Sequence, residues 1–196
     1  MTPVGTSVLL VDADASRADE TRDLLIEQGY AIAGVLGGLD GLAAALAKSP
    51  VDTVIIQAPQ VDEALLAGLR AVPDSLRKPT VLFSEDGAAE VIHAAVAAGV
   101  NAYVVVGVNG NRVRSAVNLA VANFSNTNGL REELDEARAA LRDRKIIERA
   151  KGLVMKQKGI DEAEAYDLLR RRAMQKGMRL VDVATMVNEA AEVMAG

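Results

Sequence analysis

Through residue 124 the chain alternates five uninterrupted apolar runs with five stretches of helical periodicity, and this alternation restricts the fold more than any other feature. The runs are 7–11 (SVLLV), 32–36, 52–56 (DTVII), 80–84 (TVLFS) and 102–106 (AYVVV). The helical patterns cover 16–28, 41–48, 61–69, 88–98 and 111–123. A strand that is apolar on both faces must be covered on both, which is the pattern of a parallel sheet. Parallel neighbours need crossover connections, and the intervening helices supply them. An α/β fold with a five-stranded parallel sheet is therefore expected, and any ligand site should lie at the carboxyl ends of the strands, near a reversal of strand order. Ser16 is expected to cap the first helix, and Gly29 and Gly99 to stop two of the helices.

Aromatic residues make up only 3% of the chain, so its core must be built from Ala, Val, Leu and Ile. With no cysteine and a single histidine, His93, there is no disulfide, no thiol nucleophile and no multi-histidine metal site. No nucleophile–base pair is visible, so neither an enzyme nor a bound metal or cofactor is expected. The first seven residues do not read as a signal peptide. No apolar run approaches the ~20 residues that cross a bilayer, so a cytoplasmic protein with no membrane partner is expected.

Residues 125–129 (SNTNG) form a polar, small-residue break, read as a hinge or as the cap of the next helix. From Leu130 to Lys158 the pattern is helical and charged. Leu130, Leu134, Ala137 and Leu141 recur at the spacing of a coiled-coil seam. Such a stripe either pairs with a second copy or packs on its own domain; pairing, and hence a homodimer, is the expectation adopted. Two further helices, 161–176 and 180–194, come after Gly159 and Gly177. The expected domains are 1–124, a linker helix 125–145, and a three-helix bundle 146–196. Ile147, Ala150, Val154, Tyr166, Leu169, Ala173, Leu180, Val183, Ala184 and Val187 are the expected bundle core.

The net charge of −5 hides an asymmetry. Residues 1–124 hold 8 basic and 14 acidic side chains, whereas 145–179 hold 10 basic and 5 acidic. Arg149, Lys151, Lys156, Arg170, Arg171, Arg172 and Lys176 are expected on the bundle surface, where they form either a solvated face or a phosphate-binding one.

The ordered runs IIERAKGLVM (146–155), EAEAYDLLRRRAM (162–174) and LVDVATMV (180–187) resemble the ANTAR domain of bacterial transcription antiterminators. The resemblance implies a three-helix module that binds paired stem-loops in nascent leader RNA and so prevents termination. Lys151 falls on the family motif, while the other six cations are assigned to RNA by charge and surface position. A helix-turn-helix DNA binder is the competing reading, but no recognition helix with a suitable turn is apparent.

The first 124 residues resemble the flavodoxin-like receiver domain of response regulators. That resemblance implies a phosphoacceptor Asp after the third strand, an acidic Mg²⁺-binding pair after the first, a hydroxyl after the fourth and a Lys after the fifth. Here those places hold Gln57, then Asp12 with Ala13 and nearby Asp14, then Ser84, then Val106. An amide cannot form an acyl phosphate, so aspartyl phosphorylation is not expected. Asp12 and Asp14 are expected to be solvated strand-end acids and Ser84 a strand-end cap. The whole arrangement resembles the NasT and AmiR type of antiterminator, closer to the nitrate-assimilation branch, which implies control by a separate inhibitory ligand-sensing protein. The alternatives are a phosphorylation-dependent response regulator and a coiled-coil interaction scaffold.

Overall fold

The computed structural model describes residues 5–105, 108 and 110–195, with side chains except at 110–111 and 193–195. The chain divides into two units at Asn128/Gly129. In the first, five strands form one wholly parallel sheet: β1 (Ser7–Asp12), β2 (Ala31–Leu36), β3 (Thr53–Gln57), β4 (Thr80–Ser84) and β5 (Ala102–Val105). Their order is β2-β1-β3-β4-β5, so the winding reverses between β1 and β3. The helices are α1 (Ala15–Glu27), α2 (Leu42–Lys48), α3 (Glu63–Arg70), α4 (Ala89–Ala97) and the start of α5 (Gly110–Lys158).

Alternate strand residues supply two cores. Val8, Leu10, Ile55, Val81 and Phe83 pack with Ala18 and Leu25 of α1 and with Val113 and Val117 of α5. Leu9, Val11, Val54, Ile56 and Leu82 pack instead with Leu42, Leu66, Leu69 and Ala95 of the other three helices. Successive side chains of a strand point to opposite faces, so each apolar run fills both cores at once. The second face leaves little room at α3, where a Cβ on Gly68 would lie 2.8 Å from Cβ of Leu39.

Local structure departs from expectation at both ends of this unit. Asp14, not Ser16, caps α1, its carboxylate accepting from the backbone N–H groups of Ser16 and Arg17. Asp14 immediately precedes the helix, where a side-chain acceptor meets the orphan amides of the first turn. Residues 125–129 neither hinge nor cap: they lie inside α5. That stretch contains one glycine and no proline, and the Thr127 hydroxyl bonds back to the Asn123 carbonyl at 2.8 Å. Val106 lies outside the described residues.

In the second unit the end of α5 meets α6 (Glu162–Lys176) and α7 (Leu180–Ala195). Ala150, Val154, Ala165, Leu169, Ala173, Val183 and Ala184 form its core. Gly159 and Gly177 take positive φ at the ends of α5 and α6, the conformation that closes a helix and that glycine adopts without strain. A reciprocal capping box between Asp161 and Glu164 starts α6. Tyr166 is not in the core but 41% exposed. Ala165, Leu169 and Ala173 recur every fourth residue and define the inward stripe, and Tyr166 is turned from it by about 100°.

Leu25 is fully buried at the centre of the core under α1. Leu25→Ala is expected to lower the unfolding free energy of the sheet unit by about 2–5 kcal/mol, read from the urea midpoint of the full chain at constant slope.

Candidate nucleic-acid interface

Between residues 146 and 196 the cations sort into two groups. Three are held by carboxylates. Arg149 pairs with Glu192 at 2.8 Å, and Arg179 pairs with Asp182 at 2.8 Å. Lys151 is gripped by two acids, Glu148 at 2.8 Å and Glu162 at 2.6 Å. The expectation that Lys151 lies on the open surface is therefore corrected: the residue is 7% exposed. One of its partners comes from the preceding turn of α5 and the other from the first turn of α6, so its ammonium joins two helices. Glu148 and then Glu162 raise its pKa, and its ammonium lowers that of Glu162.

The second group is unpaired. Lys156, Lys158, Arg170, Arg171, Arg172 and Lys176 are exposed, and none has an ion-pair partner among the described residues. Four of them lie on α6, where Tyr166, Arg170 and Met174 also recur every fourth residue along one exposed stripe. Met174 is 72% exposed. An aromatic ring, a guanidinium and a thioether stand in line, flanked by Arg171, so flat apolar and cationic groups share one exposed face. Sequence reasoning placed Tyr166 inside and passed over Met174. The core stripe of α6, read at strict four-residue spacing, would have assigned both to the outside.

On α5, Leu130, Leu134 and Leu141 are 67%, 48% and 60% exposed, and Ala137 is exposed between them.

At the carboxyl ends of β1 and β3, Asp12 and Gln57 are register partners. Asp12 is not solvated as expected but 2% exposed. Its Oδ2 accepts from Arg17 Nε at 2.8 Å and its Oδ1 from Arg17 Nη2 at 2.6 Å. This hydrogen bond raises the Arg17 pKa. The Asp14 carboxylate is exposed and lowered, first by the Arg17 backbone N–H. Gln57 donates to the Thr21 hydroxyl at 2.7 Å, while its amide oxygen is buried without a partner. The Ser84 hydroxyl donates to the Pro59 carbonyl and accepts from the Asp86 N–H. Arg17, Gln57, Phe83, Ser84 and Glu85 line a cavity of about 50 Å³ there. Among the described residues, no cluster of three His, Cys, Asp or Glu side chains is placed to hold a metal, and no helix is long and apolar enough to cross a membrane.

Because the Glu162 carboxylate is lowered by Lys151, the stability it contributes is present above the ordinary glutamate range and is lost as pH falls below it. The Lys151 contribution, raised in the folded state, persists up to the ordinary lysine range and is lost above it. Glu162→Gln is accordingly expected to melt lower than the parent at pH 7 and together with it at pH 3, followed by circular dichroism. A gap that persisted at pH 3 would show packing, not charge, as its source.

A family model described as the ANTAR domain matches residues 135–187. The transcriptional regulatory protein PdtaR of Mycobacterium tuberculosis is 29% identical over 188 residues, covering 93% of this chain and 89% of that protein. The nitrate regulatory protein of Klebsiella oxytoca is 40% identical over 52 residues, which cover 26% of this chain and only 13% of that protein. A solved two-component response regulator of the LuxR family from Aurantimonas is similar in fold, with a TM-score of 0.53 at 16% identity. The match covers 60% of this chain and 86% of that one. The chain carries an ANTAR domain at residues 135–187 behind a sheet of the response-regulator receiver fold.

Proposed function

We propose that this protein is an RNA-binding transcription antiterminator, a regulator and not an enzyme, that binds paired stem-loops in nascent leader RNA. The observation that carries the reading is the stripe of α6, where unpaired arginines flank an exposed Tyr166 within the span matched to the ANTAR domain. Arg170, Arg171, Arg172, Lys156 and Lys176 neutralise backbone phosphates. Tyr166 stacks on an unpaired loop base, a contact worth about 1–3 kcal/mol. Lys151, held inside by two carboxylates, keeps the helices that present this face in place and does not touch RNA.

The stripe of Leu130, Leu134, Ala137 and Leu141 joins two copies of α5, so that two modules meet two adjacent loops. Its support is the exposure of three leucines at heptad spacing, which no side chain among the described residues covers. The receiver-like unit is a protein-docking and dimer-control surface, held by a ligand-sensing partner instead of by an aspartyl phosphate. Gln57 at the acceptor position supports this over the phosphorylation-dependent reading. The scaffold alternative leaves the unpaired arginines without a role.

Gel shifts against a leader RNA with two adjacent stem-loops test the reading. Arg171→Ala with Arg172→Ala should lower the salt slope of log affinity by about 1–2, and Tyr166→Ala should weaken binding by roughly 5–150-fold at any salt. Unchanged affinity in both would overturn the α6 assignment. Leu134→Asp should abolish self-association in sedimentation and reduce affinity for the two-loop RNA to that for a single loop. A variant as dimeric as the parent removes the seam.

A further inference from the structure

A receiver-type sheet implies a divalent cation at the reversal of strand order, held by two carboxylates after β1 and one after β3. The residues present do not fit it. Ala13 and Gln57 occupy two of those positions, and neither is ionic. The Asp14 carboxylate is committed to the first turn of α1, through the N–H groups of Ser16 and Arg17. Asp12 remains, and its oxygens already accept from Arg17 Nε and Nη2 and from the Asp14 N–H. A small dication demands near-octahedral oxygen coordination and gives up its water reluctantly. Here it would have to displace a two-pronged guanidinium in return for one carboxylate.

We propose that Arg17 is a built-in cation that takes the place of the divalent ion, so that this end of the sheet is closed to metal. Position and charge support this together. Arg17 lies in the first turn of α1, the helix that Asp14 caps, so the cap fixes the backbone from which the guanidinium reaches back to Asp12. The side chain of Asp12 is fully enclosed, whereas that of Arg17 is 35% exposed, so the guanidinium forms a lid between the acid and solvent. A fork-shaped donor matches a carboxylate with two parallel hydrogen bonds, which a lysine cannot do. The buried carboxylate of Asp12 is thus neutralised from within the chain, and Asp14 and Glu85 add their negative charge around the same guanidinium and hold it in place.

The consequence is a double lock. Restoring a carboxylate by Gln57→Asp should not by itself restore metal binding, because Arg17 lines the same cavity as position 57 and would pair with the new acid as well. Both residues have to change. This inference concerns the sheet unit and is independent of the RNA reading, since its test uses no RNA.

The probe is Mn²⁺, followed in the full chain by the electron paramagnetic resonance of the free ion. Up to millimolar Mn²⁺ the parent and Gln57→Asp should show no saturable uptake, whereas Arg17→Gln with Gln57→Asp should saturate at a concentration at least about tenfold below that limit. Uptake by Gln57→Asp equal to that of the double variant would overturn the proposal. Circular dichroism shows whether the double variant is folded. If it is not, the parent decides through the side-chain Nε–H resonance of Arg17. That resonance should stay protected from exchange and unmoved on titration with Mg²⁺; a shift or loss of protection on adding Mg²⁺ would show that the ion displaces the guanidinium, and the proposal would fail.

Discussion

Helix α5 has to serve two cores with one backbone, and the arrangement of the chain depends on that. Val113, Ala116, Val117 and Ala120 are buried in the sheet unit, and Ala150 and Val154 in the three-helix unit. A helix gains most of its stability from burying one face, not from propensity. Both ends of α5 have that support, and among the described residues the stretch around Leu130–Leu141 has none. The weak helix formers at 125–129 are carried for the same reason: an interruption there would forfeit hydrogen bonds on both sides, at more cost than one glycine and a few polar residues impose.

The parts of the fold legible in the sequence were those fixed by local pattern. The three central strands are apolar runs because they are buried on both faces, while the edge strands β2 and β5 are only partly covered. The parallel winding comes from the need for helical crossovers. The bundle was legible through Ala150, Val154, Leu169, Ala173, Val183 and Ala184, although Tyr166 was read in the place that Ala165 takes. What escaped depends on contacts between elements. Lys151 looks like a surface cation because lysine is almost never buried unpaired, and its second acid, Glu162, lies across a turn on the next helix. Asp12 looks solvated until Arg17, five residues on, is folded back over it by α1. In both cases the sequence shows two opposite charges but not the turn that joins them.

These ion pairs divide the charged residues by task. Cations whose partners are fixed are neutralised inside the chain: Arg17, Arg149 and Lys151 reach an acid on another element, and Arg179 pairs with an acid three residues on. The cations left over on α6 have no such partner among the described residues, and on the proposed reading their field serves an anion from outside. A basic segment is therefore a poor guide to a binding face until the internal pairs have been subtracted. After subtraction the remaining set is smaller, gathered largely on one helix, and interleaved with Tyr166 and Met174.

Internal pairing also governs how the sheet unit could transmit a signal. An acyl phosphate changes a receiver-type site by adding charge among carboxylates, a metal, a hydroxyl and an ammonium, each free to regroup. In this chain Asp12 is neutralised by Arg17, Gln57 is held by Thr21, and Ser84 is bonded to both the Pro59 carbonyl and the Asp86 amide. These groups are engaged with one another and with the backbone, and of the three side chains only Gln57 keeps an atom, its amide oxygen, without a partner. On the proposed reading, regulation then has to act on the outer surface of the unit or on α5, the element that contributes to both cores, and a protein that grips either one needs no chemistry at position 57.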